Sequence, residues 1–472
     1  MTGSLKFGTS GLRGLVTELS DATCAAYAEA FVAHLQQATG SLHEAVLIGQ
    51  DLRASSPQIA RACAQGLARV GVASINCGTL PTPALALEAQ TRSLPAIMVT
   101  GSHIPDDRNG LKFYLPQGEI TKADEAGITA SLATHESEPA SVDLPQADGA
   151  ALDRYAQRYS GLNSTWSLAG LTVGVYQHSS VARDLMVTVL EALGATCLPM
   201  ARADSFVPVD TEALRAEDTA LAQAFAEKQA LDAIVSTDGD ADRPLISDAT
   251  GRFLRGDIVG LLTAQRLGAE AVVTPVTSST AIEASGLFKS VHRTRVGSPF
   301  VIGGMQLAAG EALAPVVGFE ANGGVLLGSD TSDFSALPTR DALLPIIAVL
   351  SLSRQRNQSL ADIVASLPSR YTASDRLQQI PSAASSAWLA KLTADPEAMR
   401  TMVGARGPVA DMDMTDGVRL RLASGDIVHF RASGNAPELR CYTESGSQQE
   451  ADDLLMWGLA TARAAVLEHE QN

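Results

Sequence analysis

Residues 94–112 read LPAIMVTGSHIPDDRNGLK, an apolar run followed by a short loop rich in glycine and polar side chains. The first six residues predict a buried strand, because a short apolar run bounded by turn residues is typical of one. The loop carries one hydroxyl, that of Ser102, with His103 beside it. Open α/β sheets bind ligands at the carboxyl ends of their strands. A serine here could also cap a helix, so the loop alone leaves a structural and a catalytic role open.

A pattern of strand, serine pair and helix occurs three times along the chain. An apolar strand leads to Ser55-Ser56, to Ser179-Ser180 and, more weakly, to Ser278-Ser279, and each pair precedes an amphipathic helical face. The serines are predicted to cap these helices. Three copies of strand, cap and helix predict three similar α/β domains with mostly parallel sheets.

The C-terminal region has a different pattern. Residues 418–422 and 427–430 alternate between apolar and polar side chains around Ser424-Gly425-Asp426, which predicts a β-hairpin in an α+β domain. Polar and proline-containing joints separate the regions. The predicted domains are three α/β domains, 1–148, 149–256 and 257–368, and a C-terminal α+β domain, 369–472.

Composition excludes several classes of partner. The chain has 472 residues and a net charge of −17, which argues against nucleic acid or an anionic membrane as a partner. The longest apolar run, residues 343–352, is too short to span a bilayer. Five scattered cysteines and the lack of an apolar signal region near Met1 predict a cytoplasmic protein with reduced thiols.

A second loop concentrates carboxylates. Asp238, Asp240 and Asp242 follow the apolar residues 231–235, and alternate residues of an extended segment face the same way. Such oxygen ligands suit a hard divalent cation, and Mg²⁺ is the expected ion. An EF-hand is excluded, since its final glutamate would fall on Ala249. Phosphatases of the haloacid dehalogenase type share Asp-x-Asp but usually continue with Thr or Val where Asp242 stands. A solvated acidic turn stays open as the structural alternative.

Three more loops offer cations, amides or exposed main-chain N–H groups, which are groups that bind phosphates and sugar hydroxyls. Each of these loops alone is also compatible with an ordinary surface turn. They are residues 7–14 (FGTSGLRG) with Arg13, residues 318–324 (GFEANGG) with Glu320 and Asn322, and residues 431–437 (RASGNAP) with Arg431, Ser433, Gly434 and Asn435.

Taken together and in this order, the loops resemble the sequence pattern of the α-D-phosphohexomutase superfamily over essentially the whole chain. That pattern contains FGTSGxRG, TASHNP with NGxK, DGDxDR, GExSGH and RxSGTxP, and the first and third of these match closely. The resemblance implies four domains around a central cleft, three of them alike. It also implies an Mg²⁺-dependent mutase that interconverts hexose 1-phosphate and 6-phosphate through a bound hexose 1,6-bisphosphate.

The resemblance leaves the sugar open. Mannose is the expected hexose, and phosphoglucomutase and phosphoglucosamine mutase activities are the nearest alternatives. A phosphomonoester hydrolase and a non-catalytic sugar-phosphate-binding protein are more distant ones. The expected partners are small hexose phosphates, and the expected assembly is a monomer or a homodimer.

The resemblance further implies a role for each matching residue. Ser102 would carry the phosphoryl group and, with Asp238, Asp240 and Asp242, would bind Mg²⁺. The other residues would surround the transferring group, contact the sugar or hold the second phosphate. They are, respectively, Arg13, His103, Lys112 and Arg243; Glu320, Asn322 and Ser298; and Arg431, Ser433, Gly434 and Asn435.

Several positions depart from the superfamily pattern. Ile104 replaces Asn, Asn322 replaces Ser and Gly324 replaces His. Ser298 stands where many relatives have His, and Asn435-Ala436 stands where Thr-Glu is common. The residues expected to transfer the phosphoryl group are therefore intact, whereas those expected to select the sugar differ.

Overall fold

The computed structural model describes residues 5–8, 11–132, 142–433 and 437–470, which contain four sheets and their connecting helices. The first domain contains β1 (Lys6–Phe7), β2 (Leu12–Leu15), α1 (Asp21–Thr39), β3 (Ala45–Gln50), α2 (Ser56–Arg69), β4 (Ala73–Thr79), α3 (Thr82–Arg92), β5 (Ala96–Val99), β6 (Arg108–Leu115), β7 (Gly118–Glu119) and α4 (Lys122–Ala130). The second contains α5 (Ala150–Ser160), β8 (Thr172–His178), α6 (Arg183–Ala192), β9 (Thr196–Arg202), α7 (Ala216–Ala226), β10 (Ala233–Thr237) and β11 (Pro244–Ser247).

The remaining elements belong to the third and fourth domains. The third contains α8 (Gly256–Arg266), β12 (Ala271–Pro275), α9 (Ala281–Ala284), β13 (Ser290–Thr294), α10 (Ser298–Gly310), β14 (Val316–Phe319), β15 (Val325–Leu327), β16 (Leu337–Asp341), α11 (Leu343–Arg356) and α12 (Leu360–Ala365). The fourth contains β17 (Tyr371–Gln378), α13 (Ser382–Ala394), α14 (Pro396–Val403), β18 (Val409–Asp413), β19 (Val418–Leu422), β20 (Ile427–Ala432), β21 (Glu438–Ser445) and α15 (Gln448–Glu470).

Local sequence explains where individual helices begin and end. The Ser20 hydroxyl caps α1 by accepting a hydrogen bond from the main-chain N–H of Thr23 at 3.2 Å. Gly40, with a φ of +74°, ends the same helix in the left-handed conformation that favours glycine. Thr121 and Asp124 form a capping box at the start of α4.

The same four-strand order occurs in the first three domains. It is β6-β5-β3-β4 in the first, β11-β10-β8-β9 in the second and β15-β14-β12-β13 in the third. In each copy, three strands run parallel and the strand at one end is antiparallel. Helices connect the parallel strands, as parallel neighbours require. The predicted class of three similar α/β domains is confirmed, and antiparallel strands extend each parallel core.

The serine pairs stand at equivalent places, but they bond the helix starts differently from the predicted N-caps: the hydroxyls of Ser180 and Ser279 accept from the main-chain N–H groups two residues on, of Ala182 and Ala281, at 3.0 Å and 3.1 Å. Ser55 precedes α2 without a side-chain capping bond, and other residue types occupy the caps of α6 and α9. Instead, the Ser56 hydroxyl donates to Asp51 Oδ1 at 2.5 Å. The Ser180 hydroxyl lies 2.6 Å from the Thr237 hydroxyl. Because Ser56 and Ser180 are buried, their hydroxyls pair with nearby polar side chains, the Ser180 hydroxyl in addition to its bond at the start of α6.

One hydrophobic cluster spans the first three domains, and its central element is α11. The apolar residues 343–352 form most of this helix, which is buried and packs against α8. A helix that is apolar on all sides is typical of such a position. Within the described ranges, no helix combines the length and apolar character needed to cross a membrane.

The fourth domain is built differently. Its sheet has the order β17-β21-β20-β19-β18 and is antiparallel throughout. The predicted hairpin is formed by β19 and β20. The buried apolar residues of this domain form a separate cluster, which contains no residue of the other domains. The domain therefore has its own core.

Candidate active site

The three predicted loops of the first three domains occupy one topological position. Residues 100–107 connect β5 to β6, residues 238–243 connect β10 to β11, and residues 320–324 connect β14 to β15. Each loop thus follows the third parallel strand of its sheet and precedes the antiparallel strand. Because the topology repeats, each domain presents an equivalent loop to the site.

Two buried residues that follow β3, Asp51 and Arg53, hold the Ser102 loop. The Thr100 hydroxyl donates to Asp51 Oδ2 at 2.8 Å and accepts from the main-chain N–H of Ser102 at 2.8 Å. Asp51 also pairs with Arg53, whose side chain is buried. The Arg53 guanidinium donates to the main-chain oxygens of Ser102 (2.9 Å), Ile104 (2.6 Å), Pro105 (2.9 Å) and Arg108 (3.2 Å).

Asp51 and Arg53 are functional candidates that the sequence analysis missed. The available signal was an Asp and an Arg just after a buried strand, in the sequence DLRASS of residues 51–56. Charged residues are rarely buried fully unless they are paired, and here they support a strained turn. Ser102 has a φ of +53°, a value that non-glycine residues adopt at a cost.

The hydroxyl of Ser102 lies against the acidic loop of the second domain. Ser102 Oγ donates to Asp238 Oδ2 at 2.6 Å and lies 3.2 Å from His103 Nδ1. Ligand oxygens of Asp238, Asp240 and Asp242 all lie within 4.8 Å of one another, and the three residues are buried. The structure therefore brings the predicted serine and the predicted metal ligands together.

Two oxygens of the acidic loop point to a cation. Asp240 Oδ1 and Asp242 Oδ1 are buried and accept no hydrogen bond from the described residues. A buried carboxylate oxygen without a partner is costly. Burial, together with repulsion from Asp240 and Asp242, raises the pKa of Asp238 well above its usual value. A divalent cation would relieve both the desolvation and the repulsion, so this donor set fits Mg²⁺.

Cations surround the carboxylates. Lys112 Nζ donates to Asp240 Oδ2 at 2.6 Å and to Asp242 Oδ2 at 2.7 Å. Burial lowers the pKa of Lys112, but attraction to these two carboxylates outweighs burial and raises it overall. Arg243 Nε lies 3.7 Å from Asp242 Oδ1. Burial, followed by repulsion from Arg243, lowers the pKa of Arg13 to about 10. Excess positive charge is thus available for an anion.

His103 is neutral in this environment. Burial lowers its pKa first, and the neighbouring Arg243 and Arg13 lower it further. A neutral imidazole beside the Ser102 hydroxyl can accept or donate a hydrogen bond.

The loop expected to bind the sugar contains a cation that the sequence analysis missed. Glu320 and Asn322 are buried, and Asn322 Nδ2 lies 3.4 Å from Glu320 Oε2. Arg340, on β16, donates from Nη1 to Glu320 Oε2 at 3.1 Å. It also donates from Nη2 to Asp242 Oδ2 at 2.7 Å. Residues 339–341 read TRD and match no motif, so only the pairing in three dimensions identifies Arg340.

Ser298, unlike Glu320 and Asn322, does not line the cleft. It begins α10, and its hydroxyl donates to Glu119 Oε2 in the first domain at 2.7 Å. The preceding residue, Gly297, lines the cleft instead. The structure thus places the Ser298 hydroxyl at a contact between the first and third domains.

The predicted phosphate loop is described in part. Arg431 and Ser433 line the cleft, and Arg431 Nε donates to Asp416 Oδ2 at 2.6 Å. Gly434 and Asn435 lie outside the described residues.

All four domains line one cleft with a volume of about 410 Å³. Binding clefts for small molecules have volumes of this order. Arginines outnumber carboxylates in its lining, so the cleft attracts anions although the whole chain is acidic. The arginines are Arg13, Arg243, Arg340, Arg376, Arg431 and Arg440, and the carboxylates are Asp210, Glu212, Glu320 and Asp375.

Comparison with known families gives matches over most of the chain. Three domain models of the phosphoglucomutase/phosphomannomutase family match it: alpha/beta/alpha domain I at residues 4–139, domain II at residues 153–251 and domain III at residues 255–371. The chain is also 47% identical to a phosphomannomutase of Sinorhizobium fredii (strain NBRC 101917 / NGR234). That alignment covers 98% of this chain and 99% of the relative.

Solved structures have the same fold. A phosphoglucomutase/phosphomannomutase family protein from Burkholderia thailandensis superposes with a TM-score of 0.78 at 20% identity, over 97% of each chain. A variant of N-acetylphosphoglucosamine mutase from Aspergillus fumigatus, in complex with glucose 1,6-bisphosphate, superposes with a TM-score of 0.60. That match has 14% identity and covers 98% of this chain and 96% of the other.

Proposed function

The chain belongs to the phosphoglucomutase/phosphomannomutase family, and we propose that it interconverts mannose 6-phosphate and mannose 1-phosphate through a phosphorylated Ser102. One observation carries the proposal. The buried Ser102 hydroxyl lies 2.6 Å from Asp238 in the acidic loop, beside a cleft lined by arginines of all four domains. The 47% identity to a phosphomannomutase supports mannose as the sugar.

The reaction moves a phosphoryl group twice. In the first transfer, the free hydroxyl of the sugar phosphate attacks phosphorus, the bond from phosphorus to Ser102 Oγ breaks, and the proton of the sugar hydroxyl ends on Ser102 Oγ. The product is the hexose 1,6-bisphosphate. After the sugar has turned end for end, its other phosphoryl group returns to Ser102 and the second product leaves. No phosphate is consumed, Lys112 is the proposed group for proton transfer, and His103 makes a hydrogen bond with the Ser102 hydroxyl.

Phosphoryl transfer depends on alignment and charge neutralisation more than on covalent help from the protein. Arg13, Arg243 and Lys112 supply positive charge around Ser102. The main-chain N–H groups of Asp242 and Arg243 each donate to Asp238 Oδ1 at 3.2 Å, which fixes the acidic loop. Groups fixed in advance stabilise a developing charge without the cost of reorganisation.

The acidic loop is the proposed site of Mg²⁺. Asp238, Asp240 and Asp242, with an oxygen of the Ser102 phosphate, would hold the ion. When bound, it would neutralise charge on the transferring group.

The other end of the cleft holds the part of the substrate that does not react. Glu320 and Asn322 bind sugar hydroxyls, and Arg431 and Ser433, with Gly434 and Asn435, bind the second phosphate. The fourth domain closes over the bisphosphate and excludes water while it turns. Release of inorganic phosphate is therefore slow relative to isomerisation.

A product-resolved assay tests this function. Purified protein is given the 1-phosphates of mannose, glucose and glucosamine, and both the 6-phosphates and inorganic phosphate are measured. We expect mannose 6-phosphate with little free phosphate, a phosphorylated fraction located on Ser102, and near-complete loss of activity in Ser102→Ala. Stoichiometric release of inorganic phosphate at the rate of turnover would instead identify a hydrolase. Turnover at the wild-type rate in Ser102→Ala would show that Ser102 does not carry the phosphoryl group.

A further inference from the structure

The side chain of Arg340 connects the two halves of the site. It lies on β16, is 3% exposed and lines the cleft. Its Nε and Nη2 donate to Asp242 Oδ2 at 3.1 Å and 2.7 Å, and its Nη1 donates to Glu320 Oε2 at 3.1 Å. A planar guanidinium can hold two carboxylates at fixed angles, which an ammonium cannot do.

Gly324 makes room for this arginine. A Cβ atom on Gly324 would lie 2.6 Å from Arg340 Cδ and 2.9 Å from Arg340 Cγ, which is too close for carbon atoms. The φ of Gly324 is not in the left-handed region, so its backbone conformation does not itself require glycine. The glycine is therefore needed for space, and residues 324 and 340 form a matched pair.

The pair sets the charge presented to the sugar. Glu320 Oε2 is bonded to Arg340, and Asn322 Nδ2 lies 3.4 Å from the same oxygen, so both contacts involve one of the two oxygens of the carboxylate. A carboxylate compensated by a cation can still accept from neutral hydroxyls. Without the cation it would be an anion facing the ligand and would attract a positively charged group.

We propose that Arg340, in the space left by Gly324, is a specificity-determining residue that makes the sugar pocket select neutral hexose phosphates over amino-sugar phosphates. This inference rests on the proposed function. Arg340 neutralises Glu320, so the ammonium group of glucosamine phosphate gains no uncompensated anion and meets a cation close by. Mannose and glucose phosphates carry only hydroxyls on the ring and bind without that penalty.

The test compares selectivity between two substrates. Arg340→Met removes the charge but keeps a long apolar side chain. We expect the ratio of kcat/KM for mannose 1-phosphate to that for glucosamine 1-phosphate to fall by about tenfold or more, which corresponds to about 1.4 kcal/mol. Binding gives a second readout: the thermal shift produced by glucosamine 6-phosphate should grow relative to that produced by mannose 6-phosphate. Arg400→Met, at an exposed arginine on α14, is the matched control and should leave both ratios unchanged.

A second variant tests the same contact by changing Gly324 instead of Arg340. Gly324→Ala displaces Arg340 without removing it and should lower the ratio in the same direction. Gly324→Ala combined with Arg340→Met should lower it no further than Arg340→Met alone, since both changes act on one contact. If Arg340→Met does not fold, Gly324→Ala and Arg340→Lys decide the matter, and both are expected to shift the ratio.

The outcomes separate this inference from the proposed function. An equal loss of activity on both substrates in Arg340→Met and Gly324→Ala, with unchanged binding ratios, would assign Arg340 a structural role only and overturn the inference. Wild-type protein without mutase activity on any of the hexose phosphates would overturn the proposed function instead.

Discussion

The Ser102 loop is held by the buried ion pair of Arg53 and Asp51. Arg53 bonds to main-chain oxygens on both sides of the turn, and its guanidinium stacks 3.8 Å from the centre of the Phe206 ring in the second domain. A side chain at Gly101 would collide with Arg53, because a Cβ there would lie 2.7 Å from the guanidinium carbon. One ion pair therefore fixes the position of the hydroxyl that is proposed to be phosphorylated.

Arg53→Met should slow phosphoryl transfer without changing the residues that touch the substrate. The loop would lose its main-chain bonds, so we expect kcat to fall by about a hundredfold, since misplacement of a reacting group by about 1 Å costs that much. Stability should fall by roughly 3 kcal/mol, because Asp51 would stay buried without its partner. Turnover by rapid quench and unfolding by urea measure the two effects. The double variant Asp51→Asn/Arg53→Met should recover stability but not kcat, and recovery of both would contradict a positioning role.

Asp240→Asn should weaken the binding of Mg²⁺. The change removes one charge from the acidic loop but keeps an oxygen at the same position, so we expect an affinity lower by about tenfold or more. Isothermal titration of the substrate-free protein with Mg²⁺ measures this without an activity assay. Asp411→Asn, at an exposed strand residue outside the cleft, is the control. Equal Mg²⁺ affinity in the wild type and in Asp240→Asn would argue against a metal at this loop.

At the level of elements, the repeat was only partly visible in the sequence. The strand and serine pair are local patterns, so the three α/β copies could be predicted. The equivalence of the three chemical loops could not, because it depends on strand order, and strand order is set by contacts between distant segments. The buried hydroxyls of Ser56 and Ser180 illustrate the same limit: local preference predicts a cap, whereas burial pairs the Ser56 hydroxyl with Asp51 and the Ser180 hydroxyl with Thr237 at the end of β10.

The same distinction separates the site residues that were found from those that were missed. Ser102, Lys112 and Asp238 belong to recognisable sequence motifs, Lys112 on β6 and the other two in loops, and the structure brings them together. Arg340 stands at the end of an ordinary strand and acquires its partners only through the packing of the second domain against the third. Ser298 shows the reverse case, since its hydroxyl pairs with another domain.

A buried histidine on β20 should make the fourth domain sensitive to acid. Burial lowers the pKa of His429 to about 4, and Arg419 and Arg431 lower it while Asp416 raises it. The unfolded chain has a histidine pKa of about 6.5 and binds the proton first. The contribution of His429 to the free energy of unfolding is therefore fully present above about pH 6.5. It is lost as the pH falls toward 4, by up to about 3 kcal/mol.

The measurement is the urea midpoint of unfolding at about pH 7.5, 6.0 and 5.0, which spans the titration of the unfolded histidine. His429→Gln should show a smaller decline across this range than the wild type. His178 has a pKa lowered by burial to about 4 as well, so the double variant with His178→Gln should decline less still. Identical declines in the wild type and in both variants would show that neither histidine controls acid stability.

For the whole molecule, the fourth domain is joined to the others by a few polar contacts. Asp416 accepts from the main-chain N–H of Val296 in the third domain at 3.0 Å and from Arg431 Nε at 2.6 Å. Glu444 accepts from the main-chain N–H of Thr280 at 2.9 Å. Asp416 therefore links the contact with the third domain to the orientation of the arginine that is proposed to bind phosphate.

Asp416→Ala should loosen the cleft and weaken binding. The change removes a charge-assisted bond worth about 2 kcal/mol, so KM should rise by about tenfold or more, while kcat at saturation should change less. X-ray scattering should give a larger radius of gyration for the variant, and hexose 1,6-bisphosphate should reduce the difference. Asp411→Ala, on the neighbouring strand, is the control. An unchanged radius together with an unchanged KM would show that Asp416 does not hold the domain.

The separate core of the fourth domain has a calorimetric consequence. A large negative heat-capacity change accompanies the burial of apolar surface, whereas the contacts of this domain with the third include the polar contacts of Asp416 and Glu444 with main-chain N–H groups, Arg295 and the Thr280 hydroxyl. The proposed closure of the cleft should therefore remove little apolar surface from water. The enthalpy of substrate binding should then depend little on temperature. Salt screens interactions between exposed charges. The proposed opening and closing of the fourth domain should accordingly depend on ionic strength more than on temperature.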